Sequence, residues 1–274
     1  MRIAIQGEPG SFSHEAALKM EPEATIVPCS LSSEVFRRVV EGHVDAAVIP
    51  IENSLAGPVV EHYDLLLAHD VTIEREALLR IRHNLIAMPG SSIEEIRRVS
   101  SHPVALAQCR HFLEQHQHME VFPFYDTAGS VKQLMEQRET HAAGIASQIA
   151  ATYYGAAVLA ADIEDNPQNF TRFFFVRPTA KVQPDPKANK VSLAFSVANR
   201  PGTLVQALQV FSAHGTNLTK IESRPVPGQP WHYVFYVDYQ ITAPGDTRVP
   251  MEELLHHCSM VKELGSYRHS EQPA

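Results

Sequence analysis

The chain repeats one pattern along most of its length: a short apolar segment, a turn with a polar side chain, and an amphipathic segment. Three such turns follow the predicted strands 97–100, 121–124 and 142–146. Short polar side chains there cap helices by accepting hydrogen bonds from the first backbone N–H groups. Strands that alternate with helices form mainly parallel sheets covered by helices. The pattern predicts an α/β fold, and together these turns are suited to bind an anion.

A glycine-rich turn at 7–13 follows the first predicted strand, 2–5, and Ser13 is expected to cap the helix 14–20. The turn contains neither the G-x-G-x-x-G nor the G-x-x-x-x-G-K-[ST] pattern, which argues against a dinucleotide or P-loop site. Its backbone N–H groups suit an anionic ligand, although a plain tight turn explains the segment equally well.

The following segments continue the alternation. Strands are predicted at 25–27 and 45–51, and the helix between them, capped by Ser32 or Ser33, ends near Glu41. Two extended segments between residues 71 and 88 are broken near Glu76, where the chain is expected to cross into a second lobe. Two lobes joined by crossing strands form a hinged cleft that can enclose a small ligand. The predicted lobes are about 1–76 with 162–178, and about 77–161.

Polar residues follow the predicted strand 45–51, where ligands bind in open α/β sheets. Asn53 and Ser54 can hydrogen-bond a carboxylate, and Gly57 permits close approach of the backbone. The alternative is that Asn53 or Ser54 caps the helix predicted at 59–67.

A second polar pair stands before an apolar run. Thr171 and Arg172 precede the predicted buried strand 173–176, and the segment 165–169 before them has the composition of a turn. Polar groups at the entry of a buried strand are held rigidly beside a cleft. The alternative is a turn whose arginine merely covers apolar surface.

The pattern changes after a proline-containing linker at 179–189. The order of predicted elements becomes βαββαβ, a ferredoxin-like arrangement that is expected to form a separable domain. The strands are 190–197, 217–223, 231–239 and 260–267, and the helices are 201–214 and 251–258.

Composition excludes several classes of function. The 274 residues carry a net charge of −8, which argues against nucleic acid as a partner. No apolar run approaches the roughly 20 residues that span a membrane, and the N-terminus lacks the apolar core of a signal peptide, so a cytoplasmic protein is expected. The spacing of Cys29, Cys109 and Cys258 suits neither disulfides nor zinc, and the histidines are expected at the surface without a metal.

Six segments, taken in order and spacing, resemble those of monofunctional prephenate dehydratase with a C-terminal ACT regulatory domain. They are Gly7-x-Pro9-Gly10-Ser11-Phe12-Ser13, Pro50-Ile51-Glu52-Asn53-Ser54-x-x-Gly57, Ser101-His102-Pro103-x-Ala105-Leu106-Ala107-Gln108-Cys109, Asp165-Asn166-Pro167-x-Asn169-x-Thr171-Arg172-Phe173, Pro201-Gly202-Thr203-Leu204 and Asn217-Leu218-Thr219-Lys220-Ile221-Glu222-Ser223-Arg224-Pro225. The resemblance implies a type II periplasmic-binding-protein-like catalytic domain at 1–178, the linker, and an ACT domain at 190–270.

The resemblance also implies a reaction, the conversion of prephenate to phenylpyruvate, CO2 and water in phenylalanine biosynthesis, without cofactor or metal. Thr171 would assist departure of the ring hydroxyl, Arg172 would bind a carboxylate, and Phe173 would pack beside the ring. Substrate contacts are expected from Asn53, Ser54, Gly57, Ser11 and Ser13. Glu52 is expected to be structural, because a carboxylate would repel a dianion.

For the last domain the resemblance implies inhibition by L-phenylalanine bound between two subunits, in a homodimer or a homotetramer. The alternative for Glu222 and Arg224 is that they form a surface ion pair that contributes little to stability. The residues expected to bind the effector are Gly202, Leu204, Asn217, Leu218, Glu222, Ser223 and Arg224.

Four positions depart from the family pattern: Ser11 replaces Thr, Val104 replaces Gln, Asp126 replaces Ser, and Thr203 replaces Ala. Asp126 places a negative charge near a site meant for a dianion. Two other functions remain open at this point, namely a dehydratase that prefers arogenate, with an amine in place of the keto group, and a non-catalytic sensor on the same scaffold. No chorismate mutase segment is expected.

Overall fold

A computed structural model describes residues 1–226, 228–241 and 249–271, without the side chains of 249 and 250. The predicted ACT domain therefore includes Pro227 and 242–248, which lie outside the described residues. Two compact units divide the chain. One contains 1–62 and 77–173, and the other contains 63–76 and 174–271.

Fifteen strands and nine helices are described, and each is numbered in chain order. The strands are β1 Arg2–Gln6, β2 Thr25–Cys29, β3 Ala46–Asn53, β4 Gly57–Pro58, β5 Val71–Arg80, β6 Asn84–Ala87, β7 Arg98–Ser101, β8 Glu120–Pro123, β9 Ala142–Ala146, β10 Ala157–Ala160, β11 Phe170–Pro178, β12 Lys190–Ser196, β13 Asn217–Pro225, β14 Tyr233–Gln240 and β15 Met260–Tyr267. The helices are α1 Phe12–Met20, α2 Ser32–Val40, α3 Val60–Ala68, α4 Pro103–Gln108, α5 Arg110–Gln115, α6 Thr127–Gln137, α7 Gln148–Tyr154, α8 Thr203–Ala213 and α9 Val249–His257.

The strands form three sheets. The first has the order β2-β1-β3-β11-β5, with β1 parallel to both neighbours and β4 paired to β3. The second, β10-β6-β9-β7-β8, is mixed. The third, β13-β14-β12-β15, is antiparallel and belongs to a βαββαβ module. The predicted α/β class and the ferredoxin-like module are thereby confirmed.

Apolar runs supply the central strands of the first two sheets. In β1 and β3, Ile3, Ile5 and Ile49 are fully buried, as is usual for parallel strands covered on both faces. In β9 all five residues are buried. Within the described ranges, no helix combines the length and the apolar character that crossing a bilayer requires.

Several predicted helix caps differ from the observed ones. Ser11, not Ser13, caps α1, because its Oγ accepts from the His14 backbone N–H. Leu31 occupies the cap position of α2 without a side-chain hydrogen bond, so the Ser32 and Ser33 assignments are wrong. The polar caps predicted in the turns after strands 121–124 and 142–146 are confirmed, since Asp126 and Ser147 there each accept an N–H of the helix that follows.

Two predicted boundaries are also wrong. The strand β5 runs unbroken through Glu76, and the interruption falls instead at 81–83, before β6. The strand β11 begins at Phe170, so Thr171 lies inside it rather than in the turn that precedes it. Both β5 and β11 run from one compact unit into the other.

Within the second unit, α3 and β5 pack closely against the βαββαβ module. The Lys262 ammonium donates to the backbone oxygens of Leu66, Leu67 and His69 near the end of α3. A Cβ at Gly265 would lie 2.2 Å from the Ile73 carbonyl oxygen, so only glycine fits there. The module is therefore joined to these elements by polar contacts and by backbone packing.

The same unit contains a buried ion pair. Lys190 Nζ lies 3.0 Å from Glu76 Oε2, and their side chains are 7% and 1% exposed. The other oxygen of Glu76 accepts from the Ser270 backbone N–H and contacts the His269 ring. A buried carboxylate in this position depends on its cationic partner, because water cannot replace that partner.

We expect Lys190→Met to lower the free energy of unfolding by about 3–5 kcal/mol, because it leaves the Glu76 carboxylate buried without its cation. Chemical denaturation at pH 7 measures the change. The double variant Glu76→Leu/Lys190→Met should lose much less, since neither charge remains. A Lys190→Met variant as stable as the wild type would show that the pair is not buried in solution.

Candidate functional site

A cleft of about 660 Å³ lies in the first unit and is lined by residues from both predicted lobes. Six of the eight residues expected at the catalytic site line it. Thr171 and Phe173 come from β11, Asn53 and Gly57 from β3 and β4, and Ser11 and Ser13 from the start of α1.

The Asn53 carboxamide is the most constrained group on the cleft wall. Its Oδ1 accepts from the backbone N–H groups of Leu55 and Ala56, at 3.0 and 2.8 Å. These two donors fix which end of the amide is oxygen. Its Nδ2 therefore donates to Thr171 Oγ1 at 2.9 Å and to Asn169 Oδ1 at 2.8 Å.

The Thr171 hydroxyl retains one hydrogen-bond donor for a ligand. Its oxygen accepts from Asn53, and the described residues provide no recorded acceptor for its own proton. The residue is 8% exposed, and its hydroxyl lines the cleft. A hydroxyl held in this way can donate to a bound ligand.

The hydrogen bonds continue from Asn53 to a histidine. Asn169 Nδ2 donates to Gln108 Oε1, so that oxygen is an acceptor, and the same oxygen lies 2.9 Å from His83 Nε2. His83 must then carry its proton on Nε2. Its Nδ1 is a buried lone pair without a hydrogen-bond partner. Burial lowers the pKa of His83 below its usual value, which favours this neutral form.

Alternation along β11 separates the three residues expected to act together. Successive side chains of a strand point to opposite faces. Thr171 and Phe173 line the cleft, whereas Arg172, 8% exposed, is not among its lining residues. The structure thus brings Thr171 and Phe173 together but does not bring Arg172 to the cleft wall.

Ser54 also differs from the expectation. It does not line the cleft, and its hydroxyl bridges two backbone groups, the Gln168 carbonyl and the Phe170 N–H. Ser54 therefore ties the loop after β3 to the start of β11. Asn53 likewise serves this connection, because both ends of its amide already have protein partners.

The glycine-rich turn of the first lobe touches the second lobe directly. Ser147 Oγ donates to the Gly10 carbonyl at 2.6 Å, and the Tyr154 hydroxyl donates to the Pro9 carbonyl at 2.8 Å. A Cβ at Gly10, where φ is +89°, would lie 2.8 Å from the Ala150 Cα. Glycine is required there by its backbone conformation and by this close approach.

Two carboxylates stand at this end of the cleft. Glu8 accepts from the Tyr125 hydroxyl and pairs with Lys132 Nζ at 3.0 Å. Asp126 caps α6 through the Gly129 N–H, and it has no lysine or arginine partner within the described part of the chain. Burial raises the pKa of Asp126, and hydrogen bonds from backbone N–H groups act in the opposite direction.

The residues expected to bind an effector lie around the start of α8 and along β13. Gly202 occupies the cap of α8 with φ +86°, and Leu204 and Leu218 pack on the core of the module. Asn217 is exposed at the start of β13, where Glu222, Ser223 and Arg224 follow. Arg224 pairs with Asp64 at 2.9 Å, instead of the Glu222–Arg224 pair considered as the alternative.

The histidines, acidic residues and cysteines of the described residues were considered as metal ligands and as disulfide partners. No group of three or more His, Cys, Asp or Glu side chains there is placed to hold a metal ion. The three cysteines are free, and burial raises the pKa of Cys109 and Cys258. Contrary to the expected surface histidines, His14, His62 and His83 are buried.

Sequence reasoning missed the role of His83 and Gln108 in the cleft. His83 and Asn84 stand between the mainly apolar segments 78–81 and 85–87. Polar residues in such a position could have indicated a functional site. Gln108 belongs to the family-like segment 101–109, but its hydrogen bond with Asn169 depends on the folded structure.

The fold and the cleft define a two-lobed α/β protein with a C-terminal βαββαβ module. A family model for prephenate dehydratase matches residues 3–181, and one for the ACT domain matches residues 191–238. The chain belongs to the prephenate dehydratase family and carries an ACT domain.

Relatives and solved structures agree with this membership. The chain is 39% identical to arogenate dehydratase/prephenate dehydratase 2, chloroplastic, of Arabidopsis thaliana, over 97% of this chain and 72% of that protein. It resembles the crystal structure of prephenate dehydratase from Arthrobacter aurescens in complex with L-Phe, with TM-score 0.88, 34% identity, and 100% and 92% of the two chains covered. It also resembles GqqA, described as a novel type of quorum quenching acylase, with TM-score 0.90, 31% identity and 98% of each chain covered.

We expect His83 to be neutral and protonated on Nε2 at pH 7, because Gln108 accepts that proton and burial disfavours the charged ring. Nitrogen-15 NMR of histidine-labelled protein measures the tautomer, and the signal lost in His83→Gln assigns it. Gln108→Leu should mix the tautomers while the exposed His256 and His257 signals stay unchanged. An Nδ1–H tautomer in the wild type would contradict the hydrogen-bond chain.

Proposed function

We propose that this chain catalyses the decarboxylative dehydration of prephenate to phenylpyruvate, CO2 and water, or the same reaction of arogenate, which gives phenylalanine. The ring carboxylate leaves as CO2, its bonding electrons enter the ring, and the ring hydroxyl takes up one proton from solvent and departs as water. Atoms and electrons balance without an oxidant or reductant. Formation of the aromatic ring provides the driving force, so the protein needs to orient the ring and to assist the leaving oxygen.

The observation that supports this proposal most strongly is the state of the Thr171 hydroxyl. Asn53 supplies a hydrogen bond to its oxygen, which leaves its proton to donate to a leaving hydroxyl in the cleft. A free threonine hydroxyl is a weak acid, so we assign it hydrogen-bond stabilisation of the transition state rather than full prior proton transfer. The buried setting strengthens that interaction, because water does not compete for it.

The other residues of the site have supporting roles in the proposal. Phe173 provides an apolar face beside the ring. Asn53 positions Thr171 instead of binding a carboxylate, and Ser54 anchors the strand that carries it. Ser11 and Ser13, with the amides at the start of α1, receive a carboxylate. Arg172 acts from behind β11, because its side chain does not line the cleft.

The likeness to GqqA raises acyl hydrolysis as an alternative reaction. Acyl transfer by serine requires an accessible hydroxyl beside a base. The Ser–His side-chain hydrogen bond that the structure records joins Ser32 to His62, which are 1% and 0% exposed and do not line the cleft. This buried pair gives no support to serine-dependent acyl hydrolysis.

Regulation, assembly and location form a second part of the proposal. The catalytic domain is 1–178, the linker 179–189 and the ACT domain 190–270. L-Phenylalanine binds at the ACT domain of a homodimer or homotetramer and inhibits the reaction, and the protein acts in the cytoplasm. The support is the ACT family match and the similar structure from Arthrobacter aurescens that was solved in complex with L-Phe.

We expect Thr171→Ala to lower kcat by about 10²–10³-fold, or about 2–4 kcal/mol, because one transition-state donor is lost. KM should change little. Product analysis with prephenate and with arogenate measures both constants and tests the reaction itself. Absence of phenylpyruvate and phenylalanine from wild-type incubations would refute the proposed function.

Two variants control for the role of Thr171. Thr171→Ser keeps the hydroxyl and should stay within a few-fold of the wild type. Asn53→Ala should reduce kcat, and adding it to Thr171→Ala should cost little more, because the two residues act as one unit. Full additivity of the two losses, or a kcat for Thr171→Ala within a few-fold of the wild type, would contradict the assignment.

We expect L-phenylalanine to release or absorb heat in a calorimetric titration of the full chain and to reduce its activity. Leu204→Ala should weaken binding, because Leu204 lies at the proposed effector site and packs on the module core. Val205→Ala is the matched control, since the neighbouring Val205 is 57% exposed. A titration with neither heat nor inhibition would refute the proposed regulation.

A further inference from the structure

The proposed reaction leaves open whether the side chain of the substrate ends in a keto acid or in an amino acid. Prephenate carries two carboxylates and no cation, whereas arogenate carries two carboxylates and an ammonium group. The two substrates therefore differ by one positive charge and by three N–H donors. The charges and acceptors of the cleft bear on this difference.

The cleft wall has two carboxylates, and its basic side chains are histidines. Among the described residues, none that lines the cleft is a lysine or an arginine. Glu8 lines it, but its charge is compensated by Lys132 and its second oxygen accepts from Tyr125. Asp126 also lines it, and backbone N–H groups, rather than a lysine or an arginine, face its carboxylate.

Asp126 is held firmly in position. Its Oδ1 accepts from the Gly129 N–H at 2.8 Å. Its Oδ2 lies against the backbone of Gly7, where a Cβ would come within 2.5 Å of it and where φ is +93°. The side chain therefore cannot swing away without giving up its cap, and Gly7 leaves room for it.

A second acceptor, in another residue that lines the cleft, is independent of Asp126. His83 is 2% exposed, and its Nδ1 has no hydrogen-bond partner. The chain of amides from Asn53 to Gln108 fixes that nitrogen as an acceptor. A buried acceptor without a donor costs free energy, so this nitrogen favours a neighbour that brings an N–H or O–H group.

We propose that Asp126 is a specificity-determining residue whose carboxylate receives the ammonium group of an amino-acid substrate, so that the chain prefers arogenate to prephenate. This inference rests on the proposed function. A keto acid brings a second uncompensated negative charge to the Asp126 end of the cleft and offers it no donor. An amino acid brings a cation and a charge-assisted hydrogen bond to the same place.

The name of one relative is consistent with this assignment. The protein from Arabidopsis thaliana that is 39% identical to this chain is named for both arogenate and prephenate. Membership of the family therefore leaves the choice between the two substrates open, and a single carboxylate in the cleft is sufficient to bias it.

The test compares kcat/KM for arogenate and for prephenate in the wild type, Asp126→Asn and Asp126→Ser. Both replacements can still cap α6 and both remove the charge. We expect the ratio of the two kcat/KM values to favour arogenate in the wild type. It should fall by about tenfold or more in each variant, the usual size of a lost hydrogen bond to a charged group.

Asp45→Asn is the matched control, because the Asp45 carboxylate also accepts a backbone N–H, from Arg2, but does not line the cleft. It should leave the ratio unchanged. Turnover of both substrates with a ratio that is the same in the wild type and in both Asp126 variants would overturn the inference while leaving the proposed function intact. Absence of turnover with either substrate would instead overturn the proposed function.

Discussion

The orientation of one carboxamide governs the catalytic wall of this protein. Two backbone N–H groups in the loop after β3 determine that the Asn53 oxygen faces them, and every other donor and acceptor follows from that choice. The Asn53 nitrogen then donates to Thr171, and the relay through Asn169 and Gln108 determines the tautomer of His83. The network therefore leaves a free donor at Thr171 and a buried, unpaired acceptor at His83 Nδ1.

The electrostatic character of the cleft comes from its walls rather than from the net charge of −8. Positive charge is supplied by the N–H groups of helix starts, and negative charge by Glu8 and Asp126. Backbone N–H groups bind a carboxylate without introducing a mobile cation. Such a site can discriminate between ligands of different charge, because no lysine or arginine among the described residues lines it.

Much of the fold could be predicted from the sequence. The βαββαβ order and the strands 142–146 and 260–267 followed from periodicity and turn composition, and they match β9 and β15 residue for residue. The break placed at Glu76 was wrong, because a charged residue inside a strand resembles a turn unless its buried partner, Lys190, is known. That partner is 114 residues away, and local pattern carries no information about it.

The candidate site could be predicted only in part. Thr171, Asn53 and Gly57 stood out from their positions at strand ends and from the family resemblance. The different placement of Thr171 and Arg172 follows from the start of β11, which lies three residues before the predicted strand, so that both residues take part in the alternation of the strand. His83 could not be assigned, since its tautomer depends on three amides from separate segments.

The contacts of the βαββαβ module with α3 and β5 have a consequence for how such proteins can be recombined. Lys262 needs the carbonyls of α3, Lys190 needs Glu76, and Gly265 must remain without a side chain beside Ile73. A fusion that exchanged the module at the linker would have to supply all three features together. A gene fusion can be joined at the linker, but residues 63–76 must be transferred together with the module.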